Sequence, residues 1–178
     1  MTTAPDAQFT ALVQRQTRFV FRVAYAVLLN AHDAEDAVQE TFLKLCRNHG
    51  WQQAQNERAF LARAAWRVAV DLRPRAQRSA DAAAVDEIDS VPSPEPGPEL
   101  LLLAADQHAL IHAMVDALPE ELRVPLVLAS FEELSSRDIG TVLGIPEGTV
   151  RTRLQRARKM LRDKLARLHV RSQEVQHV

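Results

Sequence analysis

The chain has 178 residues, with 47% hydrophobic and 25% charged residues and a formal net charge of −1. That composition suits one medium or two small globular domains and speaks against a disordered chain. A single cysteine, Cys46, excludes an internal disulfide and a cysteine-pair zinc site.

The residue types favour helix, because Ala, Leu, Val and Arg dominate while Gly numbers only 5. The first ten residues, MTTAPDAQFT, lack a basic stretch followed by an apolar run, so no signal peptide is expected. No apolar stretch reaches the roughly 18 residues that span a bilayer, so no direct membrane insertion is expected. The near-neutral total hides a segregated charge. Residues 51–78 hold 6 basic and 2 acidic groups, and residues 147–178 hold 9 and 3. Between them, residues 79–99 hold no basic and 6 acidic groups. Two basic patches separated by acid are two candidate contacts with a polyanion.

In chain order, a first helix is expected over residues 6–29, with Phe9, Leu12, Val13, Phe19, Val20, Val23 and Val27 at helical spacing. A second runs from AHDAEDAV to about Arg47, its first turns acidic as the helix dipole favours. Its core stripe is Ala34, Val38, Phe42 and Leu45. Asp33, Asp36, Gln39, Glu40 and Arg47 form the opposite face, with Leu43 among them. A leucine rimmed by acids can anchor a protein partner, although single exposed leucines are also common.

After a loop carrying Trp51, a third helix is expected over residues 57–73, stopped by Pro74. Its apolar stripe reads Phe60, Leu61, Ala64, Val68 and Leu72, with Arg63, Trp66, Val70 and Arg73 opposite and Arg67 at the edge. An aromatic among arginines suits single-stranded nucleic acid, whose bases stack while guanidinium groups hold the backbone. The alternative is that Trp66 simply packs on the first helix.

The segment 79–98, SADAAAVDEIDSVPSPEPGP, has four prolines between Pro92 and Pro98 and no positive charge. It is read as an acidic linker. The domains expected are therefore 6–76 and 99–171, joined by residues 77–98. The second domain reads as helices over 99–117 and from Pro119 to about 131, then SSRDIGTVLG capped by Ser135, then a basic helix opened by Pro146. A short helix, a Gly-containing turn and a longer basic helix make a helix-turn-helix pattern. In the last helix Val150, Leu154, Ala157, Leu161, Leu165 and Leu168 form the core stripe. Thr149, Thr152, Gln155 and Arg156 are the expected base readers, and Arg151, Arg153, Arg158 and Lys159 the phosphate contacts. An ordinary solvated basic face is the alternative. The six histidines include one i,i+4 pair, His108 and His112, but no cluster with the ligands a metal needs, so no metal or cofactor is expected.

The blocks DAEDAVQETFLKL, FLARAAWRVAVDLRPR and ALPEELRVPLVLASFEELSSRDIGTVLGIPEGTVRTRLQRARKML stand in one order. That order resembles bacterial extracytoplasmic-function sigma factors, the short sigma-70 relatives that keep only regions 2 and 4. The resemblance covers about residues 9–76 and 100–168. It implies an all-α fold of two small helical domains and a non-enzymatic subunit that gives core RNA polymerase its promoter specificity. Residues 33–45 would dock on the polymerase clamp helices through Asp33, Asp36, Gln39, Glu40 and Leu43, with Arg47 beyond, while the second domain meets the flap. Trp51, Arg58, Arg63, Trp66, Arg67, Arg73 and Arg75 would open and hold the −10 element. Residues 135–159, from Ser135 on, would read the −35 duplex, and the linker would thread the polymerase's RNA path. The family also implies a cytoplasmic protein held by an anti-sigma factor, commonly at the inner membrane. Arg67 stands where many members have Asn and matches iron-siderophore-type members. Pro74, Pro125 and Gly140 depart from the family pattern. Pro125 should remove a helical hydrogen bond and kink its helix, and Gly140 should cost about 1 kcal/mol in helix propensity. A helix-turn-helix regulator that binds duplex DNA as a dimer is the competing reading, and it leaves the Arg/Trp face unused.

Overall fold

The computed structural model describes residues 4–48, 50–73 and 107–175, and every described element is helical. The expected linker, residues 77–98, and the candidate Arg75 lie outside the described residues. Helix α1 spans Ala4–Leu28, α2 Ala31–Asn48 and α3 Glu57–Leu72, with a 3₁₀ turn Gly50–Gln53 before α3. In the C-terminal half α4 spans Gln107–Asp116, α5 Glu120–Ser130, α6 Ser136–Leu143 and α7 Glu147–Val175.

Local chemistry sets these boundaries. Asn30 Oδ1 accepts from the Asp33 amide at 3.1 Å and Asn56 Oδ1 from the Ala59 amide at 3.0 Å, capping α2 and α3. Helix α3 ends at Leu72 because Arg73 is extended, at φ −58° and ψ 139°, the conformation a residue before proline must take. Ser135 caps α6, accepting from the Asp138 amide at 3.1 Å and donating to Asp138 Oδ2 at 2.6 Å. Gly144 closes α6 in the left-handed region, at φ 70°, where a side chain would be strained.

Gly140 has a different reason. A Cβ there would sit 2.8 Å from the carbonyl oxygen of Ile145, which itself donates its amide to Gly140 at 3.0 Å. The propensity cost expected from the sequence is thus offset by close approach of the α6–α7 turn to α6. Pro125 lies inside α5, fully buried, and α5 continues through it. Its missing amide leaves one carbonyl of the preceding turn without a helical donor.

Three expected stripes are rotated or cut short. In α3 the buried residues are Leu61, Ala62, Ala65, Val68 and Ala69, whereas Leu72 is 46% exposed and Phe60 and Ala64 are half-buried. The core side of α3 is alanine-rich because it meets α1, α2 and, on a further flank, α6. Small side chains let several helices approach at once. In α2 Ala37 and Thr41 replace the half-buried Val38 in the core, and Thr41 donates its hydroxyl to the Ala37 carbonyl at 2.6 Å. In α7 Val150, Leu154 and Ala157 are buried, but Leu165 is 53% exposed, because the helix runs on past the body that covers its first turns.

The two halves pack on each other. Helix α1 meets α5, α3 meets α6, and one buried apolar set runs from Leu12 to Ala157. Polar anchors accompany it. Arg123, buried at 6% exposure, donates from Nε to the Ala26 carbonyl of α1 at 2.7 Å. From Nη1 it donates to the carbonyls of Leu118 at 2.6 Å and Asp116 at 3.2 Å. Tyr25 donates its hydroxyl to Asp116 Oδ2 at 3.3 Å. Burial, partly offset by that bond, raises the Asp116 carboxyl above the usual carboxylate range, and burial raises the Tyr25 phenol too.

Candidate polymerase and nucleic-acid interfaces

The α2 face is open. Asp33, Asp36, Gln39 and Arg47 are exposed and Glu40 is half-exposed. Leu43, 52% exposed, stands among them with no core role. Lys44 pairs with Glu40 at 3.5 Å, one turn apart, and His32 approaches Asp36 at 3.9 Å. Both pairs lie in solvent and add little stability. The face offers one apolar side chain with a charged rim, the arrangement of a small protein-docking patch.

The α3 face is only partly open. Arg63 and Arg67 are exposed, one turn apart, and Trp66 is half-buried and packed against the core. The packing expected of Trp66 is present, and the indole also keeps accessible surface. Arg63 and Arg67 line a cleft with Lys44, Asn48 and Asp71, between α2 and α3. Lys44 and Asn48 were not singled out from the sequence. Their i,i+4 spacing on the flank of α2 was the available signal, and it pointed nowhere until α3 was placed beside them.

Arg58 and Arg73 are engaged. The Arg58 guanidinium lies 4.9 Å from the centroid of the Phe19 ring and donates to Glu132 Oε2 at 2.7 Å. Arg73, its side chain 11% exposed, donates to Glu120 Oε2 at 2.6 Å. Trp51 packs on Phe9, ring centroids 5.9 Å apart, and its indole N–H is buried without an acceptor. Trp51, expected among the −10 contacts, is thus half-buried against α1.

The α7 face is built for access. The Ser135 cap, Gly140 and Gly144 fix α6 against α7, and Val150, Leu154 and Ala157 seat the first turns of α7. This leaves Thr152, Gln155, Arg156, Arg151, Arg158 and Lys159 exposed, with Thr149 and Arg153 half-exposed. Nothing lies within 4 Å of where a Cβ on Gly148 would be, so the start of the helix is open. Thr152 donates its hydroxyl to the Gly148 carbonyl at 3.0 Å, which leaves its oxygen lone pairs and methyl for a ligand. Arg151 pairs with Glu147 at 2.5 Å. Ser135 is exposed, but its hydroxyl is committed to the cap. A helix-turn-helix presenting polar side chains at the start of its second helix matches the geometry that reads base edges in a major groove. Among the described residues no group of acids, histidines and cysteine is placed to hold a metal. No described helix is long and apolar enough to cross a membrane.

Family models for Sigma-70 region 2 and Sigma-70 region 4 match residues 12–79 and 108–161. The chain is 32% identical over 166 residues to the RNA polymerase sigma-H factor of Pseudomonas aeruginosa, covering 86% of this chain and 83% of that one. It is 37% identical over 156 residues to the extracytoplasmic-function RNA polymerase sigma factor SigE of Mycolicibacterium smegmatis. The chain belongs to the extracytoplasmic-function sigma factors. The SigE alignment covers 88% of this sigma factor and 61% of the relative's length. Its fold is that of the sigma factor RpoE of Bartonella quintana, solved in complex with the anti-sigma factor NepR. The TM-score is 0.65 at 20% identity, over 89% of this sigma factor and 97% of that chain. Region 2 thus comprises α1–α3 and region 4 the body of α4–α7.

Proposed function

We propose that this sigma factor binds core RNA polymerase through α2, captures single-stranded −10 DNA with α3 and reads the −35 duplex with α7. The observation that carries the reading is the pairing, in one chain, of an open helix-turn-helix face with a second basic helix whose Arg63 and Arg67 flank a partly accessible Trp66. Duplex reading alone needs only the first. Leu43, rimmed by Asp36, Gln39 and Glu40, is the anchor for the clamp helices, and region 4 sits near the flap. Strand opening is driven by capture: stacking and phosphate contacts offset the lost duplex stacking. The protein is a binding and specificity subunit, not an enzyme, and acts in the cytoplasm. By analogy with the RpoE–NepR complex, an anti-sigma factor is its expected regulator, and an inner-membrane tether would belong to that partner. An iron-siderophore-type subgroup rests on Arg67 alone.

The test is in vitro transcription with core polymerase over a promoter library, alongside gel shifts of the free protein. Specific initiation that depends on this protein, with weak duplex binding in its free form, is expected. Tight and specific duplex binding by the free protein, with no initiation activity, would replace this reading by that of a helix-turn-helix regulator.

A further inference from the structure

A cavity of about 300 Å³ lies where α1 meets α4 and α5. Its α1 wall carries Phe21 and Tyr25, stacked with ring centroids 6.0 Å apart and planes 20° apart. The other wall carries His112 of α4 and Phe131 at the end of α5, stacked at 5.9 Å and 20°. His112 and Phe131 are exposed, so the aromatic lining reaches solvent. Glu133, two residues beyond Phe131, takes φ 56°, the left-handed region that a glutamate disfavours. Backbone strain kept beside a cavity is a mark of ligand sites. Two polar groups complete the lining. Arg22 gives Nε and Nη2 to Glu132, and its Nη1 has no partner among the described residues. Asp116 receives the Tyr25 hydroxyl on Oδ2 at 3.3 Å, which leaves Oδ1 as an acceptor. Arg22 and Tyr25 are three residues apart on α1, so the two polar groups lie about one helical turn apart along the cavity.

We propose that this cavity binds a small, planar, neutral heteroaromatic molecule, with a ring N–H for Asp116 and a carbonyl for Arg22. Four rings in two stacked pairs offer flat faces and edges, which favour a flat aromatic guest over a puckered one. The volume is at the small end for ligand sites and limits the guest to one or two fused rings. Charge decides the rest. The Asp116 carboxyl disfavours an anion and the Arg22 guanidinium disfavours a cation, whereas a neutral guest with one donor and one acceptor satisfies both. None of these residues belongs to the polymerase or DNA faces, so the site stands apart from both. Because its walls come from α1 on one side and α4 and α5 on the other, a bound molecule bridges them and stabilises the folded chain by linkage.

The test is calorimetric titration of the full chain with indole-3-carboxamide, which carries a ring N–H at one end and a carbonyl at the other. Saturable binding of one molecule per chain, with a raised thermal midpoint, is expected. Phe131→Ala and His112→Ala change exposed rings, so both variants should fold, and each should weaken the probe by about tenfold. Asp116→Asn keeps the acceptor for Tyr25 but turns an amide N–H toward the guest, and it should weaken the probe several-fold. The N-methylated indole carboxamide lacks the donor; it should bind the unaltered chain more weakly and lose nothing further in Asp116→Asn. Cyclohexanecarboxamide, the same amide on a puckered ring, should not bind. No saturable binding of the probe, equal binding of the puckered analogue, or binding indifferent to both ring variants would overturn the proposal.

Discussion

Helices α3 and α7 carry similar basic residue types, yet they differ in what those residues are free to do. In α7 the arginines and Lys159 lie outside a compact apolar seat of Val150, Leu154 and Ala157, and Arg151 pairs with a local glutamate, Glu147. In α3 the basic groups divide. Arg63 and Arg67 face solvent, whereas Arg58 and Arg73 are tied to the other half of the molecule. Helix α7 lies at the edge of the fold and is covered on one side. Helix α3 is central and packs on α1, α2 and α6. A central helix spends side chains on its neighbours, so its outward chemistry depends on which neighbours are present. The basic groups of α7 are thus accessible as the molecule stands, whereas two of those at α3 are held by the other half.

The largest effect should come from removing what holds α3's neighbours in place. Arg123→Ala strips the donors from three backbone carbonyls and takes a buried charge out of the contact between halves. A loss of about 3 kcal/mol or more is expected in urea denaturation. A change under about 1 kcal/mol would mean the halves do not rely on this anchor.

The next pair of variants probes the two faces directly. Arg156→Ala removes an exposed side chain and should leave the thermal midpoint unchanged while relaxing selectivity at one −35 position by about 1–3 kcal/mol. Unchanged selectivity in a competition assay would move Arg156 from base reading to solvation. Trp66→Ala should do both kinds of damage, because the ring is half-buried and half-available. It should weaken open-complex formation by about 1–3 kcal/mol and also lower the thermal midpoint, with core binding retained. Normal permanganate footprints with a lowered midpoint would make Trp66 purely a packing residue, and the comparison would sharpen toward arginines alone.

The smallest effect concerns Asp116. Burial raises its carboxyl pKa, so between the unfolded and folded values the folded state holds a proton that the unfolded chain has released. The strain of the buried charge is absent below the unfolded value and grows as pH rises through the folded one. Asp116→Asn keeps an acceptor for Tyr25 and should raise the midpoint slightly near neutral pH, with no gain in acid. An equal gain at both pH values would point to packing rather than charge.

Much of the fold was legible because its signals are local. Ser135 and Gly144 act within one turn of themselves, and Pro74 dictates the backbone of its immediate neighbour. The exposed faces of α2 and α7 were legible for a related reason: each helix is covered on one side, so one apolar stripe leaves one polar face. The rule weakened where a helix has several neighbours. In α3 bulky residues suggested a stripe through Leu72, while packing selected the alanines at 62, 65 and 69. It also weakened at Leu165, where apolar spacing continues past the body that could cover it.

The sequence by itself determined the helix stops at Pro74 and Gly144, the helix-turn-helix, the open faces around Leu43 and Arg156, and the family. These follow from capping, periodicity and residue order along the chain. Only the tertiary structure decided which arginines of α3 are engaged, why Gly140 suits its place, and where Glu132 spends its charge. Each of those answers is a contact between atoms distant in sequence. Arg58 and Glu132 stand 74 residues apart, and no local pattern encodes their meeting.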